Sequence, residues 1–182
     1  MTSDLFKDKY RVESARLQEW DYSRSGCYFV TICIKNREYL FGQIENDEMV
    51  LSEIGEVAKQ CWREIPNHFP FVELDEFVIM PNHLHGILVI AENLETQNVA
   101  SLQRKTSNKF EPQSNNLASV IRGFKVGVKK WATIREINFE WQPRFYDRII
   151  RDEKELLNVR NYIRHNDLKW AEDEENPDCK KV

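Results

Sequence analysis

Two short apolar runs, residues 73 to 80 (ELDEFVIM) and 84 to 90 (LHGILVI), stand back to back across a Pro81-Asn82 turn signal, and no other feature restricts the fold as much. They read as an antiparallel pair of strands. Residues 27 to 35 (CYFVTICIK) are rich in β-branched and aromatic side chains without alternation, the pattern of a strand buried on both faces. Residues 39 to 50 place a polar turn, Glu45 to Glu48, between two apolar pieces and suggest a hairpin. From Ser52 to Glu64, Ile54, Val57, Ala58, Cys61 and Ile65 recur at helical spacing, with Ser52 as N-cap and Pro66 as the stop. Leu117 to about Asn138 is the longest periodic stretch, with Leu117, Val120, Ile121, Phe124, Val128 and Trp131 on one stripe. Gly123 and Gly127 within it each cost about 1 kcal/mol relative to Ala, so close packing is expected there. Residues 141 to 150 (WQPRFYDRII) read as a strand or extended aromatic segment. Asp152, with Glu155 three positions on, opens a last helix through a capping-box pattern. Setting aside the hairpin and the last helix leaves βαββαβ. The expected fold is α+β and ferredoxin-like, an antiparallel sheet with an N-terminal hairpin extension and an extra C-terminal helix.

The chain has 182 residues, 41% hydrophobic and 31% charged, which fits one globular domain and excludes disordered or collagen-like classes. Residues 27 to 170 are expected to form it, between an extension at 1 to 26 and an acidic tail at 171 to 182. Residues 92 to 116, rich in Asn, Gln and Ser without a period, form a long inserted loop. No apolar run approaches the roughly 18 residues of a membrane span and the first residues are polar, so a cytoplasmic protein without a membrane partner is expected. Cys27, Cys33, Cys61 and Cys179 lack CxxC spacing and read as reduced thiols.

The formal net charge of −4 hides its distribution. Residues 1 to 116 carry 12 Lys/Arg against 18 Asp/Glu, residues 117 to 170 carry 12 against 7, and residues 171 to 182 carry 2 against 5. The basic middle segment is compatible with a nucleic-acid partner that the total argues against. Arg122, Lys125 and Lys129 share one helix face, which suits a phosphate backbone as well as an ordinary solvated surface. Arg144, Arg148 and Arg151 alternate with Trp141, Phe145 and Tyr146, aromatics that either stack on unpaired bases or fill the core.

His83 and His85 are two of only four histidines. At i and i+2 of a strand they share a face, roughly 6.5 to 7 Å apart, and can converge on one metal ion; alone, such a pair reads more often as a polar sheet edge. On the last helix Tyr162 and Asn166 are four apart and present a phenol and an amide on one surface. Tyrosine can act as a covalent nucleophile when a base, a metal or a positive field assists it. Two imidazoles and one amide oxygen leave a metal with open positions, as a catalytic ion requires.

The segments YFVTICIKNREYLFG, FVIMPNHLHGILVI, LASVIRGFKVGVKKW and WQPRFYDRIIRDEKELLNVRNYIRHNDLKW together resemble the HUH single-tyrosine transposases of insertion sequences, especially the REP-associated tyrosine transposases. The resemblance runs from about Tyr28 to Trp170. It implies that His83 and His85 bind Mg²⁺ or Mn²⁺ and that Tyr162 attacks single-stranded or hairpin DNA to form a 5′-phosphotyrosine link. It also implies that Asn166 completes the metal shell. Asp167 stands where relatives usually have Pro, which bears on the Asn166 assignment. Hairpin recognition would fall to the basic helix and the 92 to 116 loop. The resemblance leaves a monomer and a homodimer with shared sites both open. Two other readings on the same fold are a nucleic-acid-binding module without catalysis and a metal-dependent hydrolase without a covalent intermediate.

Overall fold

The computed structural model describes residues 25–91, 116–173 and 175–179. Among the described residues six strands and four helices follow in chain order: β1 (Gly26–Cys33), β2 (Gly42–Glu45), β3 (Glu48–Leu51), α1 (Glu53–Arg63), the single turn α2 (Ile65–His68), β4 (Val72–Ile79), β5 (His83–Ile90), α3 (Leu117–Ile134), β6 (Tyr146–Ile150) and α4 (Glu153–Arg164). A short 3-10 segment, Asp167–Glu172, follows α4. The main sheet is antiparallel in the order β4-β5-β1-β6, and β2-β3 is a separate hairpin. This is the ferredoxin-like α+β arrangement read from the element order.

The two faces of the sheet do different work. Tyr28, Val30, Ile32, Leu84 and Leu88 point to one face and form the main core with Trp62 of α1 and Val120, Ile121, Phe124 and Val128 of α3. Phe29, Ile87 and Ile150 point to the other, where Leu156, Val159 and Ile163 of α4 cover them. His83 and His85 have the same parity as Ile87, so they lie on the α4 side. Gly86, between them and Ile87, faces α1, where an added Cβ would sit 2.4 Å from the Trp62 ring. That close approach seats α1 directly on the centre of the sheet.

The helix expected over 52–64 forms with Ser52 as its cap, the Ser52 hydroxyl accepting from Gly55 N–H. The helix expected to reach Asn138 ends at Ile134, because Glu136 adopts φ 56° and Ile137 N–H turns back to the Ala132 carbonyl. Gly123 lies against the Phe69 ring, the close packing its position calls for. The β2-β3 turn is narrower than Glu45 to Glu48: Asn46 and Asp47, at φ 51° and 64°, make a two-residue turn of the primed type. β4 carries a bulge in which Asp75 and Glu76 together oppose Ile87. The extension at 1 to 26 lies almost wholly outside the described residues, as does the 92 to 116 loop. Among the described residues no helix is long and apolar enough to cross a membrane, and Cys27, Cys33, Cys61 and Cys179 are all free thiols.

Candidate active site

β5 is flanked by β1 and β4, and its register sets His83 opposite Cys33 and His85 opposite Thr31. Both rings are buried, with centroids 4.4 Å apart. Each uses Nδ1 for a fixed partner: His83 meets Asn82 Oδ1 at 2.8 Å and His85 meets Thr31 Oγ1 at 2.8 Å. Asn82 Nδ2 donates to the carbonyls of Arg37 and Glu175, so its Oδ1 is the acceptor and His83 Nδ1 carries the proton. His83 Nε2 is then a bare lone pair, buried and without a hydrogen-bond partner. Burial, with a smaller push from Arg37, holds His83 down to about 3. Burial also holds His85 well below the ordinary imidazole range, with His83 adding to the shift and Asp173 opposing it. Both rings are therefore neutral near pH 7, the form that ligates metals.

Tyr162 projects from α4 over this face. Its hydroxyl lies 3.1 Å from His85 Nε2, its ring meets Phe29 edge-on at 6.1 Å, and 43% of its surface remains exposed. α4 is fixed at both ends. Asp152 accepts from Glu155 N–H at its start, but the reciprocal half of the expected capping box is absent, since Glu155 accepts from Arg151 N–H and pairs with Arg148. Nearer its C-terminus, Arg160 grips Asp75 with two nitrogens and Arg164 grips Glu76, both carboxylates coming from the β4 bulge. These two arginines bracket Tyr162 in the sequence.

Asn166 reaches the site differently from the helical spacing expected. α4 ends at Arg164 with His165 as its C-cap, and Asn166 lies in the following turn, where it is buried. Its Nδ2 donates to Asp173 Oδ2 at 3.2 Å, and its Oδ1 is buried without a partner. Asp173, which the sequence reading left inside an acidic tail, places Oδ2 at 4.0 Å from Nε2 of both histidines. His83, His85 and Asp173 are the one group among the described residues whose ligand atoms converge closely enough to hold a metal ion. The donor set fits a divalent cation: two neutral imidazoles, one of them with an unpartnered lone pair, and a carboxylate.

Described residues of the acidic segment pack against the domain. Asp173 and Asn176 are buried, Glu175 pairs with Arg37 at 2.9 Å, and the Tyr39 hydroxyl lies 2.9 Å from both Asn176 Oδ1 and Asp178 Oδ2. Cys33 Sγ donates to Glu175, and its thiol, pushed up to about 12 by burial and by that carboxylate, is inert.

The six basic residues divide between two places. Arg148 and Arg151 line a groove of about 590 Å³ beside Tyr162, together with Lys154, Phe29 and Tyr146. Arg122, Lys125, Lys129 and Arg144 line another, of about 630 Å³, along α3. Two of these make hydrogen bonds within the protein. Lys125 Nζ donates to the carbonyls of Gln142 and Arg144, and burial lowers it to about 8; Lys129 Nζ donates to the Phe139 carbonyl. Both tie α3 to the segment that follows it. Trp141 is partly buried and donates Nε1–H to the Lys125 carbonyl, while Tyr146 is half exposed. His165 caps α4 by bonding to the Asn161 carbonyl, and His68 is exposed.

No family model matches the chain. An uncharacterised protein of Haemophilus influenzae is 45% identical over 176 residues, covering 96% of this chain and 98% of its own. A second Haemophilus influenzae protein, named a REP-associated tyrosine transposase, is 28% identical over 149 residues, 82% of this chain and 74% of its own. Among solved structures, a REP-associated tyrosine transposase bound to a REP hairpin superimposes with a TM-score of 0.56 at 19% identity, covering 85% of this chain and 74% of that one. The chain is thus similar in sequence to a REP-associated tyrosine transposase, and its ferredoxin-like sheet shares the fold of a solved one.

Proposed function

We propose that this protein is a REP-associated tyrosine transposase that cuts and rejoins single-stranded DNA that carries a hairpin, through a 5′-phosphotyrosine on Tyr162 and with Mg²⁺ or Mn²⁺ held by His83 and His85. The observation that carries this reading is the position of the Tyr162 hydroxyl, 3.1 Å from His85 Nε2 and so beside the atoms that would hold the cation. In the cleavage step the Tyr162 oxygen bonds to phosphorus and the bond to the 3′ oxygen breaks. The phenol loses its proton, and the leaving oxygen takes one up as a 3′-hydroxyl. Attack by a 3′-hydroxyl on the phosphotyrosine reverses the step, so strand transfer needs no nucleotide triphosphate. When bound, the cation supplies Lewis-acid polarisation of the phosphoryl oxygens.

The chain's own residues do the rest. Asn82 and Thr31 fix the two imidazoles, so that Nε2 of each faces the common space. Phe29 and the two arginine pairs of α4 fix the direction of the phenol. Arg148, Arg151 and Lys154 along the adjoining groove suit a phosphate backbone, and the half-exposed Tyr146 offers a face on which an unpaired base can stack. Arg122 and Arg144, on the α3 groove, offer a second contact for the hairpin stem. The solved relative bound to a REP hairpin supports a hairpin substrate. The tyrosine reaches histidines of its own chain, so a homodimer is not needed to complete the site. Free thiols and a DNA substrate support a cytoplasmic location.

The test is incubation with hairpin-bearing single-stranded DNA and Mn²⁺, followed by electrophoresis under denaturing conditions. A protein-DNA adduct is expected with wild type and with Tyr146→Phe, and its loss with Tyr162→Phe. Cleavage by Tyr162→Phe at the wild-type rate would eliminate the covalent mechanism.

A further inference from the structure

We infer that the third protein ligand of the cation is the carboxylate of Asp173, contributed from beyond the tyrosine helix, and that Asn166 positions this carboxylate through its Nδ2. The inference rests on the proposed cation site at the histidine pair and departs from the ligand set that resemblance alone implies. It starts from geometry. Asp173 Oδ2 is equidistant, at 4.0 Å, from Nε2 of His83 and Nε2 of His85. An ion lying among the three atoms would meet two nitrogens and one oxygen. Of these, His83 Nε2 is completely buried and has no other partner.

The carboxylate is oriented for that purpose. Glu175 N–H donates to Oδ1 at 2.6 Å, which fixes the plane of the group and turns Oδ2 toward the histidines. Asn166 Nδ2 donates to Oδ2 itself at 3.2 Å. A carboxylate oxygen has lone pairs enough to accept that bond and still ligate. The amide therefore touches the ligand, and the hydrogen bond it makes is of the kind that orients ligands around a metal. Asn82 links the two halves of the site: its Oδ1 accepts from His83, and its Nδ2 donates to the Glu175 carbonyl. The backbone that carries Asp173 is thus latched to the residue next to His83. A hard, anionic oxygen beside two imidazoles also favours Mg²⁺ and Mn²⁺ more than an amide oxygen does.

Metal binding is tested on the full chain without DNA, so that its outcome stands apart from any failure of cleavage. Titration of Mn²⁺, followed by the paramagnetic signal of the free ion, is expected to show at least about a 10-fold loss of affinity in Asp173→Asn. Asp173→Cys adds a direct readout, because a thiolate ligand recruits the soft ion Cd²⁺ and produces a sulfur-to-metal charge-transfer absorption above the wild-type baseline. The absorption is expected with Asp173→Cys. Unchanged Mn²⁺ affinity in Asp173→Asn, or no thiolate band in Asp173→Cys, overturns the inference. Melting curves in chelator accompany each variant. A variant that does not fold is replaced by Asp173→Glu, whose longer side chain is expected to lower Mn²⁺ affinity and, with affinity unchanged, also overturns it.

Discussion

At the scale of single residues, the site is a set of nitrogen atoms whose second partner is already decided. His83 and His85 were legible in the sequence because two residues apart on a strand means one face. Their supports were not. Thr31 reaches His85 only through the β1-β5 register, and Asp173 arrives from a stretch with no periodicity, where its charge was the only visible property. The same limit explains Lys125 and Lys129. A helical wheel tells which face a lysine occupies, and it cannot tell that the ammonium bends back to a carbonyl of the next segment. The Thr31 contact has a measurable weight. Thr31→Val keeps the shape of the side chain and removes the hydroxyl from His85 Nδ1, so Mn²⁺ affinity is expected to fall about 10-fold while the fold persists. Equal affinities in the two proteins would show that the hydroxyl does not orient the ring.

At the scale of elements, what the sequence showed best were the long periodic stretches, and what it showed least were their ends and their docking. The stripe of α3 is buried from Leu117 through Val128 as its spacing requires, whereas its C-terminus, marked by no Gly or Pro, was placed four residues too far. α4 has a short apolar face, with Ile163 its one buried residue. Its position therefore depends on the two ion pairs to the β4 bulge. Burial by itself would raise the Asp75 carboxyl, yet the hydrogen bonds from Arg160 and from Glu76 N–H hold it below its usual range. Those bonds are formed to the charged carboxylate. Asp75→Asn is thus expected to loosen the helix at Tyr162 and to slow single-turnover adduct formation by about 10- to 100-fold, as an ångström of misplacement does. DNA affinity should change little, since Asp75 lies outside the groove beside the tyrosine. A loss confined to affinity, with the rate intact, would count against a positioning role for the bulge.

At the scale of the whole molecule, the two buried imidazoles make the fold sensitive to acid. In the unfolded chain a histidine takes up a proton near pH 6.5, whereas His83 in the folded protein resists it down to about 3. The unfolded state binds more protons throughout that window, so the contribution is complete above pH 6.5 and is lost as pH falls toward 3, at about 1.4 kcal/mol per pH unit for each such imidazole. Denaturant unfolding in chelator is expected to show lower stability at pH 5 than at pH 7. A His83→Gln variant should show a shallower dependence, and an identical one would place the acid sensitivity elsewhere. Net charge misled at this scale because it averages segments that fold to different places: Asp173 and Glu175 pack against the histidine pair and its supports.

The sheet order β4-β5-β1-β6 also governs how the molecule comes into being. β1 is the earliest strand of the sheet in the chain and one of its two central ones, paired on one edge with β5 and on the other with β6. Both partners are distant in sequence, and pairings of that kind close slowly. Until they close, the run from Cys27 to Cys33, among the most apolar in the protein, has both hydrogen-bonding edges open to any other strand it meets. The residues that later support the catalytic face are therefore the ones most exposed to misassociation while the chain is incomplete.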